Sequence, residues 1–477
     1  MKKYLSWILI ILVSGCSSFG KSKNIVSFSA LVESELDNFT VNIPASQLPN
    51  DGAVEISKGN FKIKDFSDNQ RFNKISLPSD IAAKPLITGS EIYILCSNGI
   101  LYSYDRQNLT QNWNMKLYDK KTADKAFGGG IAYSNNKLYV TNGGQELFVI
   151  NANNGRKITV KKFPDAIAKA PIVKNGFIYL LTLNNQLFTL GQSNLVLIWD
   201  HAGLPEALTY GAKSSALLFT DNGEVFVSYS SGQIFLLSHE NGSVIWQKDF
   251  SEEHNMPGLF PVNFVGEPVM DSGFVYLADS TGKLYKLEIR GGKEVWSKQI
   301  SDIQTFNKVG NVILAVTNGR QVIAVDIESG KVGWSKDIID FACFKKQERE
   351  NRQIEEYNQH LLDRSLTPKK QVSPPKGRIA RAFYDFKNKF ISSDDKPQQP
   401  KRARNLYNRD QVKPINIIES IVANDLYQLF SSKGEVYYIS PLDGKILDQR
   451  NIAKQLSYVL VSDEFILAGK NKILLMK

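Results

Sequence analysis

Side chains able to do chemistry are sparse in this sequence. His201, His239, His254 and His360 stand far apart, with no pair at i,i+4 and no cysteine or carboxylate beside them at metal-ligand spacing. The run Gly128-Gly129-Gly130 could cradle a phosphate. However, Ile131-Ala132-Tyr133 continues it as a strand, not as a helix N-terminus, so crowded inner-strand packing is the simpler expectation. No Gly-x-Ser-x-Gly element and no Cys/His pairing offers a nucleophile. The expectation is therefore no catalytic residue, no metal site and no cofactor, and the search moves to the elements that would position a binding surface. The 477 residues are 42% hydrophobic and 22% charged, which excludes both a polytopic membrane chain and a wholly disordered one. Nineteen Tyr, 26 Phe and 33 Gly against three Cys point to strands and aromatic burial, without a disulfide framework.

The first residues give an address. Met1-Lys2-Lys3 is a positive start, and Tyr4 to Val13 is apolar except for Ser6. Such a stretch is too short to span a bilayer, which takes roughly 20 residues. Leu12-Val13-Ser14-Gly15-Cys16 is similar to the lipobox of bacterial lipoproteins. That resemblance implies cleavage of residues 1–15 as a signal peptide and acylation of Cys16, palmitate included. Its acyl chains would exceed the two signals needed for stable anchoring. Ser17 stands where an Asp would suggest inner-membrane retention, so the periplasmic face of the outer membrane is expected. Residues 16–69 then form a lipid-anchored tether, and that compartment removes nucleic acid as a partner.

A repeat organises the remainder. Tyr93 precedes Trp113 by twenty residues, and the same interval recurs from Tyr179 to Trp199, Phe226 to Trp246, Tyr276 to Trp296 and Leu314 to Trp334. Each unit alternates apolar and polar residues through two strands, turns at Gly, and ends on a strand carrying the Trp. Degenerate copies around Tyr139, with Thr159 in the Trp position, around Tyr427 and around Ile466 bring the number to eight. The expected fold is all-β, an eight-bladed β-propeller of four-stranded antiparallel blades over 70–477. The last copy runs out at Lys477, so a strand within Arg71 to Leu77 is expected to complete it and close the ring. Trp113, Trp199, Trp246, Trp296 and Trp334 are read as blade-docking residues. A buried Trp removes roughly 150–250 Å² from water, about 4–6 kcal/mol at most.

Ala324-x-Asp326-x-x-x-Gly330-x-x-x-Trp334 resembles the tryptophan-docking motif of quinoprotein-type propellers. This implies, as one alternative, a pyrroloquinoline quinone dehydrogenase with a quinone and Ca²⁺ on the axis. Alcohol dehydrogenases of that type carry an adjacent cysteine pair, which this chain lacks, and no carboxylate is marked as a base. Cys96 lies in the first repeat and Cys343 just after the sixth, well separated around an eight-membered ring, so free thiols are expected.

The lipobox, the tether and the eight repeats together resemble the BamB family of outer-membrane β-barrel assembly lipoproteins. The likeness is most specific in His201-Ala202-Gly203-Leu204-Pro205-Glu206, Tyr229-Ser230-Ser231-Gly232-Gln233 and Glu240 to Trp246. It implies a non-catalytic scaffold that binds the POTRA domains of a BamA-like barrel protein. Other members dock through loops entering the fourth and fifth blades, with a Leu-x-Leu-Arg element and two aspartates that this chain does not reproduce. The positional candidates are Leu204, Pro205, Glu206, Asn263, Phe264 and Glu267, with Leu204 and Phe264 expected exposed and Glu206 and Glu267 at a polar rim. A propeller serving some other periplasmic protein or glycan is the remaining alternative.

Leu314 and Tyr427 are 113 residues apart where other anchors lie 38 to 50 apart, which places an insertion at 341–413. It is broken by Pro368, Pro374, Pro375, Pro397 and Pro400. Ile354, Tyr357, Leu361 and Leu362 share helical spacing, as do Ile379, Phe383, Phe386 and Phe390. Residues 345–413 hold 18 Lys and Arg against nine Asp and Glu, which accounts for nearly all of the chain's net +10. The basic character belongs to this segment, which could meet an anionic surface.

Overall fold

The computed structural model describes residues 54–57, 60–63, 73–118, 128–167, 169–205, 215–250, 262–318, 321–338, 341–366, 381, 415–423, 426–452, 456–461, 465–468 and 472–476. Cys16 and Glu206, and the second helical set from Ile379 to Phe390, lie outside them.

The described chain is all-β apart from one helix, and its architecture matches a β-propeller. Eight four-stranded antiparallel sheets follow one another. In seven of them the strands pair in sequence order, as in the first: Leu86–Ile87, Glu91–Leu95, Ile100–Asp105 and Gln111–Lys116. The eighth takes Tyr458–Val461, Phe465–Ala468 and Lys472–Met476, and its fourth member is Asn73–Ser76, paired antiparallel with Lys472–Met476. A separate hairpin pairs Val54–Ser57 with Asn60–Ile63.

The core is divided among the junctions between sheets. Ile75 of the eighth sheet packs with Ile92 and Ile94 of the first, Phe226 of the fourth with Tyr285 of the fifth, and Trp334 of the sixth with Tyr427 of the seventh. The repeat anchors Tyr93, Tyr139, Tyr179, Phe226, Tyr276, Leu314 and Tyr427 are all buried in these layers. First strands of neighbouring sheets face one another, so they form the inner wall and the last strands form the rim.

Each repeat Trp reaches forward into the next sheet. The Nε1–H of Trp113 donates to the Ala152 carbonyl at 2.8 Å, and Trp199, Trp246, Trp296 and Trp334 donate likewise to His239, Ile289, Ile327 and Pro441. Each acceptor lies three residues before a glycine at positive φ: Gly155, Gly242, Gly292, Gly330 or Gly444. A Cβ on any of these glycines would stand 2.5–2.8 Å from the incoming indole. Glycine is required there twice over, by the left-handed backbone and by the ring above it.

Where the Trp is missing, so is the glycine. The second sheet carries Thr159, and the corresponding turn of the third sheet carries Leu195 at φ 57°. Its amide closes the same turn on the Gly191 carbonyl at 2.9 Å, and Lys161 Nζ donates to the Leu195 carbonyl at 2.6 Å. The first sheet, which follows the Trp-free eighth, has Leu109 at φ 59° in the same place. With no indole overhead a side chain fits, although a left-handed residue still costs about 1–2 kcal/mol.

Residues Ile339–Pro414 form a second compact unit. It contains the helix Phe341–Leu366, which takes up the first set of helically spaced residues. Ile354 and Tyr357 are half-buried along one stripe with Asn351 and Asn358. No helix among the described residues is long and apolar enough to cross a membrane.

Candidate functional site

Leu204 and Pro205 follow the last strand of the third sheet, Leu197–Ala202, and both are exposed, Leu204 by 54%. The backbone beneath them is fixed from three sides. The Leu204 amide donates to Gln233 Oε1 at 2.7 Å, Asn185 Nδ2 donates to the Leu204 carbonyl at 3.0 Å, and the Gly203 amide donates to the Asn185 carbonyl at 2.9 Å. Gly203 lies so close to Tyr229 that a Cβ would stand 2.5 Å from its ring. His201 stacks on Tyr229 with centroids 5.9 Å apart, and its Nδ1 lies 2.9 Å from the Tyr229 hydroxyl. Burial holds the His201 pKa below the ordinary histidine value, with the Asp200 charge acting in the opposite direction. An apolar side chain is thus offered to solvent on a backbone held by hydrogen bonds.

The second candidate segment corrects the expectation for one residue. Phe264 is 1% exposed, not exposed as the sequence suggested. It belongs to the inner strand Phe264–Asp271 and packs edge-on against Phe250 at 5.6 Å. Its strand begins one residue after Asn263, so alternation turns Phe264 into the layer between the fourth and fifth sheets. Asn263 is half-buried and exchanges hydrogen bonds with Ser280. Val262, next to it, lies against the turn at Gly232, adjacent to the Gln233 that anchors Leu204. Leu204 and Val262 therefore meet one turn, at Gln233 and Gly232. Glu267 is exposed, but it faces the centre of the sheet assembly, not a rim.

That centre is a cavity of about 480 Å³ bounded by the inner strands of the first five sheets. Small residues make the room: Ala83, Gly129, Ala170 and Ala216 all line it. The Gly128–Gly130 run lies here, and a Cβ on Gly130 would stand 2.4 Å from Ala170, the inner-strand crowding its sequence suggested. Lys84, Lys169 and Glu267 supply the charge. Lys84 is paired with Glu419 at 3.2 Å. The Lys169 ammonium donates to the Ser215 carbonyl. Burial lowers its pKa from the ordinary lysine value, and the Glu267 charge opposes that shift.

A family model described as outer membrane protein assembly factor BamB matches residues 97–336. The chain belongs to the BamB family. An uncharacterized protein of Rickettsia prowazekii is 31% identical over 338 residues, covering 68% of this chain and 76% of the other. Outer membrane protein assembly factor BamB of Yersinia pestis is 22% identical across 51% of this chain and 57% of its own length. Among solved structures, BamB from Moraxella catarrhalis superposes with a TM-score of 0.57 at 13% identity, covering 85% of this chain and 96% of that one. The quinohemoprotein alcohol dehydrogenase of Comamonas testosteroni reaches 0.53 at 10% identity, covering 85% and 75%. At such identities the two structures speak for the shared fold alone.

Among the described residues no three His, Cys, Asp or Glu side chains converge on a metal site, and the charged lining of the cavity is Glu267 with Lys84 and Lys169. Cys96, the cysteine whose side chain is described, is a buried free thiol.

Tyr229 and Gln233 stood in the sequence only as part of a family-like stretch, with no role attached, and Asn185 and Lys169 had no signal at all. Gln233 reaches Leu204, and Lys169 reaches Ser215, across the junction of the third and fourth sheets.

Proposed function

We propose that this chain is a non-catalytic scaffold lipoprotein of the outer-membrane β-barrel assembly machinery, anchored through Cys16 on the periplasmic face of the membrane. It binds the POTRA domains of a BamA-like barrel protein. Membership of the BamB family supports the setting, and the observation that carries the docking reading is Leu204, an exposed leucine on a loop fixed by Asn185 and Gln233. An apolar anchor held in place loses little conformational freedom on binding, which is how interface hot spots are built. Pro205, also exposed, continues that surface, and Asn263 flanks it. The eight sheets serve as eight blades of one ring, closed by pairing of Asn73–Ser76 with Lys472–Met476. The tether covers 16–69, and the insertion 341–413 carries the positive charge that can face an anionic surface.

Photo-crosslinking from position 204 or 263 in intact cells tests this. An adduct with a BamA-like barrel protein is expected from both positions, and its absence from both removes the docking proposal. Replacement of Cys16 by alanine should release the protein from the membrane fraction; full retention would remove the anchor.

A further inference from the structure

The inner strand of the fifth sheet is irregular at one place. Val265 pairs with Ala278 and Val269 with Tyr276, so Gly266, Glu267 and Pro268 together stand opposite the single Leu277. Gly266 has φ +70°, a left-handed conformation that admits this bulge. Bulges re-aim side chains, and this one delivers Glu267 to the central cavity. Glu267 makes no ion pair or hydrogen bond among the described residues.

The same cavity is lined by Lys169, whose ammonium donates to the Ser215 carbonyl and makes no second hydrogen bond among the described residues. The other lysine of the wall, Lys84, is paired with Glu419. The cavity thus offers one ammonium and one carboxylate, and Ile172, Leu217 and Pro268 add apolar wall. A dianion such as phosphate would meet Glu267, and a metal cation would meet Lys169. A ligand carrying both signs on an apolar body satisfies both residues and fills the remainder, within the volume range of small-molecule sites.

We propose that the central cavity binds a small zwitterion with an apolar body, an α-amino acid or a dipeptide, its carboxylate on Lys169 and its ammonium on Glu267. This site is separate from the surface around Leu204 and does not depend on the docking reading.

The test is ligand-observed NMR titration of the purified full chain with leucine, Ala-Leu, N-acetyl-Ala-Leu and Ala-leucinamide, with inorganic phosphate and calcium chloride as competitors. Leucine or Ala-Leu should bind, and blocking either charged end of Ala-Leu should weaken binding by about tenfold or more. In Glu267→Gln, acetylation should cease to matter while amidation still does. Lys169→Met should show the converse, and Lys169→Arg should retain binding should the methionine variant not fold. The proposal fails if neither zwitterion binds, if the blocked forms bind as well as Ala-Leu, if Glu267→Gln leaves the acetylation penalty intact, or if phosphate or calcium displaces the zwitterion competitively.

Discussion

Trp296 fills the space above Gly330: a Cβ on that glycine would stand 2.8 Å from the indole, while Trp296 Nε1 donates to the Ile327 carbonyl three residues earlier. The contact joins two sheets through backbone atoms alone on the receiving side. Gly330→Ala should therefore destabilise the protein by about 2–4 kcal/mol, combining a left-handed alanine with a displaced ring. Urea unfolding monitored by Trp fluorescence measures it, and a loss under about 1 kcal/mol would contradict this geometry.

Trp334 is, with Trp199, one of the two repeat tryptophans that are buried. It is 8% exposed, sits within the layer shared by the sixth and seventh sheets, and donates to Pro441 at 3.1 Å. Trp334→Ala should cost about 3–5 kcal/mol, while Trp334→Phe should recover part of the packing and none of the hydrogen bond. Equal losses in the two variants would mean that the hydrogen bond, and not the packed area, dominates.

The junction between the second and third sheets allows the converse experiment. Thr159 and Leu195 stand where five other junctions have Trp and Gly. Thr159→Trp alone should destabilise, because the indole meets the Leu195 side chain. Combined with Leu195→Gly it should be tolerated, with a favourable coupling of about 1–3 kcal/mol in a double-mutant cycle. Additive effects would show that the two positions do not share one site.

Much of this architecture was readable because the repeat writes it several times. The twenty-residue interval from Tyr93 to Trp113 encodes three strands and the two turns between them, and both of its ends proved to be structural: the tyrosine buried in the layer, the indole on the next glycine. Phe264 was misread because the sequence shows only that a segment links two repeats. Whether its first apolar residue is loop or strand depends on where pairing with Ala278 and Asp279 begins. Lys169 and Glu267 are about a hundred residues apart, and no periodicity in a single chain reports that two inner strands turn toward one cavity.

Cys96 gives a chemical readout of the first sheet. It is fully buried, and burial pushes its thiol up to about 12. Only about one molecule in ten thousand would carry the thiolate at pH 8. Maleimide should leave the Cys96 peptide unlabelled in the native protein and modify it fully in denaturant, as read by mass spectrometry. Rapid native labelling would show that this layer opens.

His201 couples the loop at Leu204 to pH. Its folded pKa lies below the ordinary value near 6.5 because burial against Tyr229 and Phe235 disfavours the cation. The unfolded chain therefore binds more protons in acid. Stability should be complete above about pH 6.5 and fall as pH drops below it toward the lower folded pKa. His201→Gln should flatten that part of the profile in urea titrations between pH 5 and about pH 7.5. An unchanged slope would assign the acid sensitivity to another group.

Leu204 separates binding from folding. Its side chain is 54% exposed, whereas its backbone carries the hydrogen bonds to Asn185 and Gln233. Leu204→Asp should thus alter stability by no more than about 0.5 kcal/mol, the usual range for surface changes. It should nevertheless abolish crosslinking to the BamA-like partner, because an apolar pocket cannot accept a carboxylate without a large desolvation cost. Gln233→Ala probes the support from below: it removes the acceptor of the Leu204 amide and should weaken partner binding about tenfold with Leu204 itself intact. If Leu204→Asp binds normally while Gln233→Ala does not, the partner reads the turn at Gln233, and the leucine is a bystander.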